Sequence, residues 1–275
     1  MTPEKRDIMD YFRRILEIMD IQMAVPRPYG WFHLLCLAVT AALTVLAVRW
    51  GRHHDQTGIR RVVLWTAVAV ILLEIYKQIN YTFGDGNAAA AYQWYAFPWQ
   101  FCSTPMYAGL LAGLTARGRL HRALCAYLAT YCVFAGAAVM LYPVTVFIGT
   151  VGINIQTMVC HGSMVVIGGY LLGSGYVKIE PRTLLRALPV FATCVALAGI
   201  MNEAAHRSGI TGFNMFFISP YVECELPVYS LVHGALPVPL NWAVYVLGFT
   251  AAAGAVLLLA HGIGLLCRRK TAAAL

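Results

Sequence analysis

At 275 residues the chain has the length of one or two soluble domains, yet 60% of it is hydrophobic, only 12% is charged and its mean hydropathy is +0.66. An ordinary soluble domain carries roughly 25% charged residues and needs them to cover its surface. The composition excludes a cytosolic enzyme and a disordered tail, and requires an integral membrane protein.

The first 30 residues carry five basic side chains (Lys5, Arg6, Arg13, Arg14, Arg27) and five acidic ones (Glu4, Asp7, Asp10, Glu17, Asp20), which cancel. No apolar run precedes Trp31, so the segment does not read as a cleavable signal peptide. Ile8, Phe12, Ile15 and Met19 recur at helical spacing, which predicts an amphipathic helix lying on the membrane interface over residues 1–30.

Apolar runs of about 20 residues then predict seven transmembrane helices. They are Trp31–Val48, Val62–Phe83, Phe97–Thr115, Ala123–Leu141, Ile153–Gly173, Ala187–His206 and Leu240–Leu266. Continuous runs of this kind, without short alternating segments, argue against an outer-membrane barrel. The segment 220–239 is also apolar, but Pro220, Pro227, Pro237 and Pro239 with Glu223 and Glu225 argue for an outer loop or re-entrant cap instead of an eighth span. The expected fold is thus all-α: a polytopic seven-helix bundle over 31–266, an N-terminal interfacial segment and a tail at 267–275.

Charge sets the expected orientation. Thirteen of the 20 basic residues fall on one face: Arg49, Arg52, Arg60 and Arg61, then Arg117, Arg119 and Arg122, then Lys178, Arg182 and Arg186, and finally Arg268, Arg269 and Lys270. Cytoplasmic loops are the ones enriched in Lys and Arg. The C-terminus is therefore expected in the cytoplasm and the N-terminus outside, in the plasma membrane of a prokaryote or the endoplasmic reticulum of a eukaryote. The net charge of +8 is topological and implies no nucleic-acid partner.

Most of the eight cysteines lie within the spans, where a disulfide is not expected, and no CxxC or HExxH pattern suggests a metal. No nucleotide-binding motif is present either, so no cofactor is expected. Membrane lipids remain as the partners, whether substrate or solvent.

Ionisable and amide side chains inside a span are expensive and mark candidate sites. On the second span Glu74, Gln78 and Tyr81 form a stripe, with Lys77 placed to neutralise Glu74. This is either a packing ion pair or the polar heart of a cavity. The third opens with "FPWQFCSTP": Pro98 suits a first helical turn, Pro105 then predicts a kink, and Cys102 falls near the positive end of the helix. Cys102 shares a face with Gly109 and Gly113, so it is expected to point into the bundle. The spacing leaves open whether it is a reactive thiol or a small hydrophobe. On the fifth span Asn154, Thr157, His161 and Gly168 form another stripe, and His161 is either a base or a side chain bonded to a nearby carbonyl. Asn202 on the sixth span is expected to face the cavity, whereas His33, His121 and His261 at span ends, and Asn214 and His233 in outer loops, need only the interface to explain them.

The series "LLEIYKQI" (72–79), "FPWQFCS" (97–103), "MVCHGSMVVIGGYLL" (158–172), "MNEAAHRSGITGFNMFFISP" (201–220) and "GALPVPLNWAVY" (234–245) resembles the YwaF-like integral membrane family, whose animal members are called transmembrane protein 164. Glu74 and Gln78, Gln100 and Cys102, His161 and Gly162, Asn202, and Asn214 fall on family motifs. Met215 stands where the family has Tyr, and the Gly-Pro-Trp-Pro stretch is degraded to Ala235–Pro239. The resemblance implies a membrane acyltransferase acting on phospholipids, related to lipid hydrolases, with Cys102 as nucleophile and His161 as its base. Oxyanion donors are then expected from Gln100, Asn154 or Asn202, with Glu74 orienting His161. The alternative is a transporter or proton-coupled carrier in which Glu74, Lys77, His161 and Glu203 line a path.

Overall fold

The computed structural model describes residues 14–84, 91–143 and 145–273, and side chains as far as residue 266. Its helices are α1 (Trp31–Gly51), α2 (Gln56–Phe83), α3 (Thr104–Leu114), α4 (Arg119–Ala129), α5 (Tyr131–Leu141), α6 (Val151–Gly173), α7 (Pro181–Arg207) and α8 (Val238–Ala273). Among the described residues six segments are long and apolar enough to cross a bilayer, with α4 and α5 forming one of them across a break at Thr130. The seventh expected segment is shorter. The apolar helix there covers Phe101–Leu114, beginning as a 3₁₀ turn at Phe101–Ser103.

That short start corrects the expected proline roles. Pro98 lies ahead of the helix, and Pro105 occupies its first turn, where a missing N–H leaves no gap. No kink is needed. The Phe101 carbonyl accepts from the Thr104 hydroxyl at 2.8 Å, and the Tyr107 hydroxyl donates to the Pro98 carbonyl at 2.9 Å.

The break region α4–α5 and α6 form the centre, with α2 and α3 packed together on one flank and α7 and α8 on the other; α1 packs along α6. Aromatic rings fill the middle: Phe191 lies 4.5 Å from Tyr131 and 5.1 Å from Phe101, centroid to centroid. Elsewhere small residues let backbones touch. A Cβ on Gly113 would stand 2.5 Å from that of Leu64 on α2, and one on Gly136 would stand 2.6 Å from the His161 carbonyl oxygen on α6. Gly136→Ala must therefore push α5 off α6. A loss of about 1–3 kcal/mol is expected from such overpacking. Thermal melts in detergent check it against Gly248→Ala, where nothing lies within 4 Å of the added carbon.

The N-terminal segment is a strap. Residues 14–19 are helical, and Ile8 and Phe12, expected on the same helix face, lie outside the described residues. Beyond them the chain is sewn to the bundle. The Tyr76 hydroxyl donates to the Met19 carbonyl at 2.6 Å, Met23 N–H donates to Gly149 at 2.7 Å, and Val151 N–H donates to Ile21 at 2.9 Å. The buried Asp20 carboxylate accepts from Gln22, Asn80 and Thr150. The segment 220–239 carries no spanning helix of its own: it holds a 3₁₀ turn at Tyr229–Leu231, and α8 begins at Val238.

Candidate functional site

The polar side chains of the spans separate into two groups. The first gathers around the middle of α2. Lys77 Nζ lies 2.8 Å from Glu74 Oε1, with both side chains largely buried, and Gln78 Nε2 donates to the same carboxylate at 2.7 Å and to the Ala96 carbonyl at 2.8 Å. Cys102 at the start of α3 and Cys160 in the middle of α6 line one cavity with Thr66, Ala67 and Val70 of α2.

His161 is buried, and its Nδ1 pairs with the Thr157 carbonyl at 2.7 Å. A carbonyl only accepts, so Nδ1 carries the hydrogen and Nε2 keeps its lone pair. Among the described residues nothing bonds to Nε2, and neither Cys102 nor Glu74 bonds to His161. The ring is thus held in a base-competent tautomer by its own helix, without the carboxylate expected to orient it.

Cys102 is half-buried and lines a cavity of about 20 Å³ with Met106, Gly109, Cys160, Ser163 and Met164. That volume holds roughly one water. A mostly apolar surface groove of about 710 Å³ lies beside it, and Thr66, Val70 and Ser163 are wall residues of both. A second groove of about 530 Å³ runs over Glu74, Gln78 and Tyr107 on the α2–α3 side. The backbone N–H of Phe101, first in its helix, donates to no backbone acceptor among the described residues.

The second group is a clamp on a loop. Phe216 and Phe217 adopt φ of 59° and 58°, a left-handed conformation that side chains other than glycine resist at a cost of about 1–3 kcal/mol each. Three amides hold it. Asn202 accepts from Met215 N–H at 2.7 Å and donates to the Met215 carbonyl at 3.0 Å. Gln100 accepts from Phe216 N–H and donates to the Asn214 carbonyl, both at 2.9 Å, while Asn214 Oδ1 accepts from Ser219 N–H. Phe216 then stacks on Phe101, next to Cys102 in the chain. Asn154 likewise serves backbone: it accepts from Ile148 N–H at 2.9 Å and donates to its carbonyl at 2.7 Å. Gln100, Asn154 and Asn202 thus each hold backbone groups with both ends of their amides.

Two histidines assigned to the interface are in fact buried. His33 Nε2 donates to the Met140 carbonyl at 2.7 Å, and its Nδ1 accepts from Tyr29 N–H at 2.8 Å. His121 Nδ1 donates to the Ala112 carbonyl at 2.9 Å, while Nε2 faces the Tyr176 hydroxyl at 2.6 Å and Cys125 Sγ at 3.6 Å. Both turn inward because a helix end beside them supplies a free carbonyl. The spacing of His121 and Cys125, four residues on one helix, was the available signal. Glu203 and His206 do sit at an exposed edge: Glu203 pairs with Arg207 at 2.6 Å and accepts from the Tyr221 hydroxyl at 2.6 Å, a bond that pushes the Tyr221 phenol above its ordinary range.

No curated protein and no solved structure matches the chain. The model of the TMEM164 family matches residues 28–261, which covers every helix from α1 through most of α8. The chain belongs to the TMEM164 family.

Proposed function

We propose that this member of the TMEM164 family transfers or hydrolyses phospholipid acyl chains, with Cys102 as nucleophile and His161 as base. The observation that carries the reading is the shared wall of Thr66, Val70 and Ser163 between the Cys102 cavity and a mostly apolar surface groove of about 710 Å³. An acyl chain lying in that groove needs only side-chain movement at three residues to bring its ester to the thiol. In the resting state the cavity admits roughly one water, which keeps the thiol from bulk solvent.

The chemistry follows from the groups present. Cys102 Sγ attacks the ester carbonyl carbon as its proton passes to His161 Nε2, and the carbonyl oxygen becomes an oxyanion. The backbone N–H of Phe101, first in its helix, is the donor this reading assigns to it. Collapse expels the lysolipid alkoxide, which takes the proton back from His161 and leaves a thioester on Cys102. An acceptor hydroxyl or water, deprotonated by the same nitrogen, then releases the acyl group. In this reading the basic loops face the cytoplasm and Cys102 lies toward the opposite side.

The test is labelling of the purified protein by a phospholipid carrying an activated ester. Wild type is expected to be acylated at Cys102, and Cys102→Ser and His161→Ala are expected to lose the label. Undiminished labelling of either purified variant ends the reading. The Glu74–Lys77 pair inside a span favours a carrier as the second reading. Flux into proteoliposomes that survives Cys102→Ser and fails on Glu74→Gln would establish that one instead.

A further inference from the structure

We infer that the basic end of the bundle holds a second site, which binds a phosphate-bearing ligand in the cleft between α4, α7 and the loop joining α6 to α7. The cleft encloses about 730 Å³, and its walls carry Arg117, Arg119, Arg122, Lys178 and Arg186 against one carboxylate, Glu180. Among the described residues Glu180 is taken by Arg186 at 3.2 Å, and the other four cations have no carboxylate partner. Like charges on ordinary loops spread into solvent. Here they converge on one concavity, where low-dielectric walls focus their field.

Two helices add to that field. The chain enters α4 at Arg119 behind Gly118 and α7 at Pro181 behind Glu180, and neither helix has a side-chain cap or an acidic residue in its first turn. Arg119 and Arg122 from the first turn of α4, and Glu180 at the N-cap and Thr183 in the first turn of α7, line the same cleft. The start of α4 carries no acidic complement, and the one at α7, Glu180, is drawn to Arg186. An orientation rule based on loop charge accounts for basic residues on this face. It accounts neither for their convergence nor for two uncapped helix starts around them.

The floor is preorganised. Tyr176 bonds His121, which is anchored in turn on the Ala112 carbonyl, and Tyr176 also meets Arg117, so the floor holds that guanidinium in place. Guanidinium forks match phosphate oxygens two by two, and four unneutralised cations suit a dianion or pyrophosphate better than a single carboxylate. Ala123, Ala126 and Val177 between them offer apolar wall for the rest of the molecule. The cleft lies at the opposite end of α3 from Cys102, roughly 17 Å away by helix rise, so the site stands independently of the chemistry proposed there.

The full chain in phosphatidylcholine nanodiscs provides the test, with two probes: pyrophosphate in solution, and phosphatidic acid mixed into the disc. Binding is followed by the rise in melting temperature, and at least one probe is expected to raise it in a salt-sensitive way. A response to phosphatidic acid alone identifies a lipid headgroup, and a response to pyrophosphate identifies a soluble phosphate compound. Arg119→Gln/Arg122→Gln/Lys178→Gln is expected to weaken binding about tenfold or more, since every 1.4 kcal/mol of lost contact is a factor of ten. Arg49→Gln/Arg52→Gln, which removes charge elsewhere on the same face, is expected to leave it unchanged. No response to either probe in wild type overturns the inference, as does an equal loss in the control pair. If the triple variant does not fold, Arg122→Gln and Lys178→Gln singly carry the same comparison.

Discussion

Lys77→Met is expected to lower the unfolding free energy by about 3–5 kcal/mol, the range for breaking a buried ion pair from one side. The methionine fills the space of the lysine stem but leaves the Glu74 carboxylate, whose side chain is only 10% exposed, with the single amide donor of Gln78. The loss comes from that stranded charge more than from the attraction itself. Lys77→Met/Glu74→Leu, which removes both charges, is therefore expected to recover most of the stability, and the two variants are compared by thermal or denaturant melts. A single variant as stable as wild type would sink the burial argument. The double variant also separates packing from chemistry. If the pair takes part in the proposed chemistry, a well-folded double variant acylates more slowly than wild type with the activated-ester phospholipid. Equal labelling rates would reduce the pair to a packing device.

Asn202→Ala is expected to cost about 1–3 kcal/mol, because it orphans a buried backbone N–H. Met215 is fully buried; its N–H has Asn202 as partner, and without Asn202 its carbonyl keeps only the long bond from Ile218 N–H at 3.5 Å. The left-handed residues that follow also lose a brace that holds them. Asn202→Asp keeps the acceptor for Met215 N–H while losing the donor to its carbonyl, so its melting temperature should lie between alanine and wild type. Proteolysis at 215–217 gives a second reading, since the loop should become cleavable in Asn202→Ala. An uncut loop and an unshifted melt would show that Gln100 and Asn214 suffice without it.

Hydrophobicity and loop charge make the bundle legible from sequence because they are local: each span carries its own signal. The places where sequence reading fell short all depend on partners distant in the chain. Two prolines seven residues apart both suit a helix start, and only the packing of Phe101 against Phe191 and Phe216 decides for Pro105. Gln100, Asn154 and Asn202 looked like cavity residues because an amide in a span needs a partner. Those partners are backbone groups, 114 to 116 residues away for Gln100, and sequence spacing carries no trace of them. The convergence of α2, α3 and α6 around Cys102 follows the glycine stripe, which was readable. The tautomer of His161, the small cavity and the shared wall with the outer groove required coordinates. His121 was misjudged for a related reason: a histidine at a span end can turn toward the interface or inward, and a free carbonyl on the neighbouring helix end decides.

The strap at residues 19–23 bears on the order in which the molecule is made. Its partners are Asn80 on α2 and residues 149–154 at the head of α6, as much as 131 positions further along the chain. A ribosome must deliver more than half of the polypeptide before residues 19–23 find their seat. Until then Asp20 waits without Thr150, and closing so long a loop late adds a slow, non-local step to assembly. The strap thus acts as a latch fastened from the far end, and its protection from hydrogen exchange should report that the fifth span has arrived.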